Sequence, residues 1–546
     1  MQINPGGRTQ HRGVILAPNG MVATGHPLAS AAGARVLGDG GNAIDAAFTA
    51  AAVLGVVQPM MSGLGGESFL LYYDRSSQRT WAVNGSGPAP RALSLDYLHK
   101  HTGGTLPPRG MLSAGVPGAV DVMCTALERW GGRFDLGHIL APAIRYAEDG
   151  VPVAESVAAI WALEQPTLAR FPSSMRTLLR DGRAYRVGER LRMPDYAAAL
   201  RCIAAGGRDA FYTGALAERI AAYCRSHGGL LDEADLAAYR CEVGAPIETT
   251  YRDYTVQTTA PPSQGTILLE ELNLVETFDL QRLPWGGADA VHAMVEAKKL
   301  AFADRNAYLG DPRFRVNPLS AMLSKEYARH RREAIRMTSA LHAADPGALP
   351  EQTGETTYLC TADRDGNLVS LITSLSSAFG GAEVVEDTGI LLNNRVGRGF
   401  STDPASPNVL APAKRTMHTL HPYLVFRGEE PLLVGGTPGG DAQPQINLQV
   451  LTNMLDWGMN VQQAIEAPRW WSVPGTDPSS VDAPFELRLE SGFARETRTE
   501  LERRGHTVIS SGAFTWFGAQ VIKVDREAGC YHGGSDPRVD GCAIGY

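Results

Sequence analysis

The chain has 546 residues, a formal net charge of −8 and 44% hydrophobic residues. That is ample apolar material for a large core, and the acidic balance gives no electrostatic attraction to nucleic acid. The opening MQINPGGRTQHRGVILAPNG has no apolar run flanked by basic residues, and no later charge-free apolar run is long enough to span a bilayer. Neither a leader nor a membrane partner is therefore expected. The seven cysteines are scattered, odd in number and without paired metal-ligand spacing, so reduced thiols in a cytoplasmic protein are expected.

Residues 20–59 are rich in Ala, Gly and Val and predict two closely packed helices, 26–37 and 42–54, separated by the turn Gly38-Asp39-Gly40-Gly41. The stretch Ser62-Gly63-Leu64-Gly65-Gly66-Glu67 precedes a predicted strand at 68–73. Phosphate-binding glycines follow a strand and open a helix, so this order excludes that use. Residues 116–336 read as mainly helical, with helices at 119–129, 195–204 and 286–305, broken by strand character at 249–257. The basic run 329–336 reads as a solvated helix face. Periodicity lapses over 337–355, where Pro, Gly, Ala and acidic residues gather, and a mobile linker is expected there. A β-hairpin follows at once: a strand over 357–362, the turn Asp363-Arg364-Asp365-Gly366-Asn367, and a second strand over 368–374.

Thr356 thus stands between a linker and a hairpin. If the Glu355–Thr356 bond is cut, Thr356 gains an α-amine, a group that ordinarily titrates at about 7.7–8.0. That amine can take the hydroxyl proton near neutral pH, so one residue supplies both nucleophile and base. Taken alone, a Thr-Thr pair opening a strand is ordinarily just a β-prone edge.

The order of blocks along the chain adds to this. GETTYLCTADRDGNLVSLITSL, then FGG and GILLNN, resembles the small-subunit start of γ-glutamyltranspeptidases. GNAIDAA, QPMMSGLGGESFLLYYD, AGVPGAVD, PPSQGTILLEELN and AFADRNAYLGDPRF resemble earlier blocks of that family. KRTMHTLHPYLV, GGTPGGDAQ, AIEAPRW and SDPRVDGCAIGY resemble later ones. The resemblance runs from about Gly20 to Tyr546. It implies an α/β fold, the four-layer αββα sandwich of the N-terminal-nucleophile hydrolases. It also implies self-cleavage into a large subunit, 1–355, and a small subunit, 356–546, that share one interleaved core. It assigns the nucleophile to Thr356, a hydrogen bond to the freed amine to Ser374, and the oxyanion hole to Gly439 and Gly440. No cofactor or metal is expected; His418 and His421 lack an HExxH pattern or a carboxylate at ligand spacing.

The recognition residues depart from the family pattern. The glutamyl-binding arginine aligns with Gly85, the asparagine after the second threonine with Ser376, and the Ser-Ser pair with His418-Thr419. No clear aspartate offsets an α-ammonium, and the segment 400–414 is too short for the usual lid loop. Arg395 and Arg398 enter instead. If they face the pocket they disfavour an ammonium and favour a carboxylate or carbonyl; otherwise they point to solvent. This profile resembles the family's acylase and amidohydrolase branch, glutaryl-cephalosporin acylases and oxamate amidohydrolases included. The expected function is acyl-enzyme hydrolysis of a small-molecule amide, such as an oxamyl or glutaryl amide. The alternatives are a true γ-glutamyltransferase or glutathione hydrolase, and an unprocessed, non-catalytic binding protein.

Overall fold

The computed structural model describes residues 10–346, 355–476 and 483–546. Two seven-stranded sheets form its centre. One runs, from edge to edge, through Cys542–Gly545, Met21–Thr24, Glu355–Ala362, Leu368–Ser376, Glu67–Asp74, Arg79–Gly85 and Glu242–Gly244. The other runs through Ile15–Ala17, Cys530–Ser535, Gln520–Asp525, Glu430–Gly436, Tyr423–Arg427, Tyr254–Thr258 and Ile247–Tyr251. Both sheets mix strands from before and after Thr356, so neither part of the chain has a complete sheet of its own.

Strand alternation explains the layering. On one face of the first sheet, Phe69, Leu71, Tyr358, Cys360 and Ile372 meet Leu424, Val434 and Ile522 of the second sheet. The opposite face carries Leu70, Leu359, Val369 and Leu371 against helices Pro27–Gly38 and Ala43–Val57. Outside the second sheet, helices Gly265–Glu276, Ala288–Tyr308 and Ala442–Leu455 bury Leu268, Val291, Ile446 and their neighbours.

The predicted elements are present with shifted ends. The first two helices begin one residue later than expected. The second is fixed by a capping box: Asn42 Oδ1 accepts from Asp45 N at 3.0 Å, and Asp45 Oδ2 accepts from Asn42 N at 3.1 Å. The predicted helix at 195–204 runs on to Tyr212, across a kink where Gly207 has φ +59°. The strand character at 249–257 resolves into the hairpin Ile247–Tyr251 and Tyr254–Thr258. The glycine-rich turn serves close approach: a Cβ on Gly65 would lie 2.0 Å from Leu391 O.

The expected mobile linker needs correcting at its start. Ala340 N donates to Arg504 O at 2.7 Å. Leu341 N donates to Glu296 Oε2 at 2.8 Å, and Leu341 O accepts from Lys299 Nζ at 2.7 Å. This stretch is docked, because buried polar groups of a neighbouring helix satisfy its backbone. The part of the linker at 347–354 lies outside the described residues. The basic run is not uniformly solvated either: Arg331 Nε pairs with buried Asp304 at 2.9 Å, and Arg332 lies over the Phe278 ring. Among the described residues no helix is long and apolar enough to cross a membrane.

Candidate active site

Thr356 sits at a register break. Glu355 pairs with Ser376, but Thr357 pairs with Thr373, so an irregularity falls at Thr356. Such bulges re-aim a side chain next to a site. Thr356 is 1% exposed and shares the inter-sheet face with Ser374 and Glu67, which are register partners on adjacent strands. Its Oγ1 donates to Ser374 Oγ at 3.3 Å and accepts from Gln443 Nε2 at 3.4 Å. Ser374 Oγ also accepts from Ser376 N at 2.8 Å. Ser376 has φ +82°, a conformation L residues adopt only under constraint.

The Thr437-Pro438-Gly439-Gly440-Asp441 turn links strand Glu430–Gly436 to helix Ala442–Leu455. Gly439 has φ +122° and Gly440 φ +56°. A Cβ on Gly439 would lie 2.3 Å from the Phe517 ring, so glycine is required there. The Gly439 and Gly440 carbonyls accept from Ala442 N and Gln443 N. Neither glycine N–H has a backbone acceptor among the described residues. Asp441 clamps the turn from behind, accepting from Thr476 N and Oγ1, each at 2.7 Å. Gln264 clamps it from the side: its Nε2 donates to Thr419 O at 2.6 Å and to Gly440 O at 3.1 Å. Gln443 and Gln264 are contacts that sequence reading missed. Both lie inside the motif blocks GGDAQ and PPSQG, but a lone glutamine carries no spacing signal.

The two arginines separate. Arg395 is buried, and its Nε pairs with Glu67 Oε2 at 3.0 Å. Asn393 Oδ1 accepts from Arg395 N at 3.1 Å, which fixes its backbone. Arg398 is half-buried, with Nη1 donating to Ser377 Oγ at 2.8 Å. Neither is simply solvated, and the positive charge of Arg395 is balanced by Glu67. Glu67 Oε1 also accepts from Gly87 N at 2.8 Å and lies 3.3 Å from His418 Nε2. Burial pushes the His418 imidazole down to about 4, so it is neutral near pH 7. Among the described residues, Arg395 Nη2, Ser376 Oγ, Thr419 Oγ1 and both ring nitrogens of His418 are buried without a hydrogen-bond partner. Gly85 offers no recognition group, because a Cβ there would lie 2.2 Å from Val122 Cγ2.

One cluster has the makings of a metal site: ligand atoms of His292, Glu296 and His506 lie within 4.8 Å of one another. It is occupied from within. Lys299 Nζ donates to Glu296 Oε1 at 2.7 Å, and His292 Nδ1 lies 2.8 Å from His506 Nε2. An ammonium in contact with the carboxylate opposes a dication, and the cluster anchors residues 336–341 instead.

A family model described as gamma-glutamyltranspeptidase matches residues 29–546. The glutathione hydrolase-like YwrD proenzyme of Bacillus subtilis is 39% identical over 535 residues, covering 97% of this chain and 99% of its own. The oxamate amidohydrolase proenzyme of Klebsiella pneumoniae is 34% identical over 535 residues, again covering 97% and 99%. The crystal structure of a cephalosporin acylase from Bacillus halodurans matches with a TM-score of 0.91 at 37% identity, covering 100% of this chain and 99% of the acylase. With the family match spanning nearly the whole sequence, this chain is an enzyme of the gamma-glutamyltranspeptidase family.

Proposed function

We propose that this protein is a self-cleaving amidohydrolase whose nucleophile is Thr356, working as an N-terminal-nucleophile hydrolase on a four-layer αββα frame. The observation that carries the reading is the convergence on Thr356 Oγ1 of Ser374 and Gln443, at a register break beside the Gly439-Gly440 turn. Cleavage of Glu355–Thr356 leaves residues 1–355 and 356–546 as two chains and frees the Thr356 amine. The proenzyme names of the relatives support this step.

The amine then takes the hydroxyl proton as Oγ1 attacks the substrate amide carbon. The carbonyl oxygen becomes an oxyanion and is received by backbone N–H groups of the Gly439-Gly440 turn. The C–N bond breaks, the leaving amine carries off the proton, and an ester on Thr356 remains. Water, deprotonated by the same amine, hydrolyses that ester and returns the free acid.

The acyl group is a small one ending in a carboxylate or carbonyl, of oxamyl or glutaryl type. Supporting this are the unpartnered Arg395 Nη2, Ser376 Oγ and Thr419 Oγ1, which suit acceptor oxygens. The reaction takes place in the cytoplasm. A second reading, γ-glutamyl transfer or glutathione hydrolysis, is favoured by one observation: Glu67 is a buried carboxylate beside the site that could face an α-ammonium. Its oxygens are already engaged by Arg395 and Gly87, which favours the first reading. Processed enzyme assayed against γ-glutamyl, glutaryl and oxamyl amides separates the two. A glutaryl or oxamyl amide is expected to be the better substrate. Family-typical cleavage of a γ-glutamyl anilide, with no effect of Arg395→Ala or Arg398→Ala, would replace it with the transferase reading.

A further inference from the structure

Glu67 carries its charge where a carboxylate is expensive. It is fully buried, on the strand beside Ser374 and on the face that holds Thr356. Burial opposes ionisation, yet His418, Arg395 and the Gly87 N–H together hold its carboxyl below the ordinary range. With His418 neutral near pH 7, the charge that balances Glu67 is that of Arg395.

The grip on the guanidinium is one-sided. Nε is taken by Glu67, while Nη2 is buried without a hydrogen-bond partner among the described residues. Ser376 Oγ and Thr419 Oγ1 are in the same condition. Each is one link from the Thr356 surroundings: Ser376 through its N–H on Ser374 Oγ, and Thr419 through its carbonyl on Gln264, which also holds Gly440 O. An orphaned buried polar group costs about 1–3 kcal/mol. Such groups on residues that border the Thr356 surroundings suit a ligand that supplies the missing partners.

We propose that Glu67 is a positioning residue for acyl-group recognition: it holds Arg395 at Nε so that Nη2, with the Ser376 and Thr419 hydroxyls, receives the carboxylate or carbonyl that ends the acyl group. This rests on the reading of Thr356 as the nucleophile. Because the pair leaves the pocket close to neutral, selection works through fixed hydrogen-bond geometry rather than through surplus positive charge.

The test is steady-state kinetics of processed enzyme with a glutaryl amide and with its methyl-ended analogue, both carrying the same leaving group. Wild type is expected to prefer the glutaryl amide. Glu67→Ala should raise KM for it by about tenfold or more, the worth of one charge-assisted hydrogen bond, with kcat and the methyl-ended amide little affected. Glu67→Gln, which keeps an acceptor for Arg395 Nε, should recover most of the loss. The Glu67→Ala/Arg395→Ala double variant should be no worse than Arg395→Ala, because Glu67 acts through Arg395. No preference for the glutaryl amide, equal losses on both amides, an unchanged or lower KM, or additive losses in the double variant would overturn the proposal. If Glu67→Ala does not fold, Glu67→Gln and the double variant, which removes both charges of the pair, carry the test. Failure of the nucleophile reading shows separately, as wild type that stays one chain or a small chain that does not begin at Thr356.

Discussion

Thr356 Oγ1 donates to Ser374 Oγ across the register break, and the same Ser374 oxygen accepts the Ser376 N–H. Ser374 therefore ties the threonine hydroxyl to the strand end beside it. Ser374→Ala should lower kcat by about tenfold to a hundredfold, the range for a hydrogen bond that works on a charged centre, with KM little changed. Ser374→Thr should restore most of the activity. Wild-type kcat in the alanine variant would remove Ser374 from the machinery.

Gly440, at φ +56°, sits in a turn whose carbonyls are already engaged. Gly440→Val strains that backbone and turns its N–H away from the substrate. The expected loss is about 10²–10³ in kcat, the usual effect of one oxyanion donor, with thermal stability falling much less. Unchanged turnover in the folded variant would place the oxyanion elsewhere.

Gln264 joins the Thr419 and Gly440 carbonyls through one amide nitrogen. Gln264→Leu leaves both carbonyls short of a donor at the site. A loss of about 1–3 kcal/mol of stability is expected, with both a higher KM and a lower kcat. A variant that changes neither kinetic constant would make the bridge structural only.

The hairpin was legible because alternation and turn chemistry are local: the pattern of 357–362 and 368–374 gives the strands, and Asp363 to Asn367 the turn. The family was legible through the ordered blocks, which match over residues 29–546. The partners of Arg395 were not. Glu67 lies 328 residues away in the chain, and a glutamate after two glycines carries no periodicity that would mark it as buried. The docking of 340–341 was hidden for the same reason, since its partners Glu296 and Lys299 read as ordinary charged helix positions.

The buried histidines should cost stability with acid in a defined window. Burial pushes His26 and His418 down to about 4, and His421 and His506 down to about 3, from 6.5. These groups stay neutral when folded but take a proton when unfolded below pH 6.5. At these groups the unfolded state therefore binds more protons, and their contribution to stability drops as pH falls from about 6.5 toward 4. Each fully buried histidine contributes up to about 1.4 kcal/mol per pH unit. Buried Glu270 and Glu271, whose carboxyls burial pushes well above the ordinary range, work in the opposite direction over the same window. The change in Tm between pH 7 and pH 5 should therefore shift toward stabilisation at pH 5 in His421→Gln and in His506→Gln, each of which removes one of these protonation sites; the same change in both variants as in wild type would mean these histidines are not buried neutral.

The most direct measurement is N-terminal sequencing of the smaller chain from the purified wild-type protein, run beside Thr356→Ala on a denaturing gel. Wild type should give two chains, the smaller beginning Thr356-Thr357-Tyr358, while Thr356→Ala should remain a single inactive chain. A smaller chain beginning at any other residue, or a Thr356→Ala variant that still cleaves and turns over substrate, would contradict the assignment of Thr356 as the nucleophile.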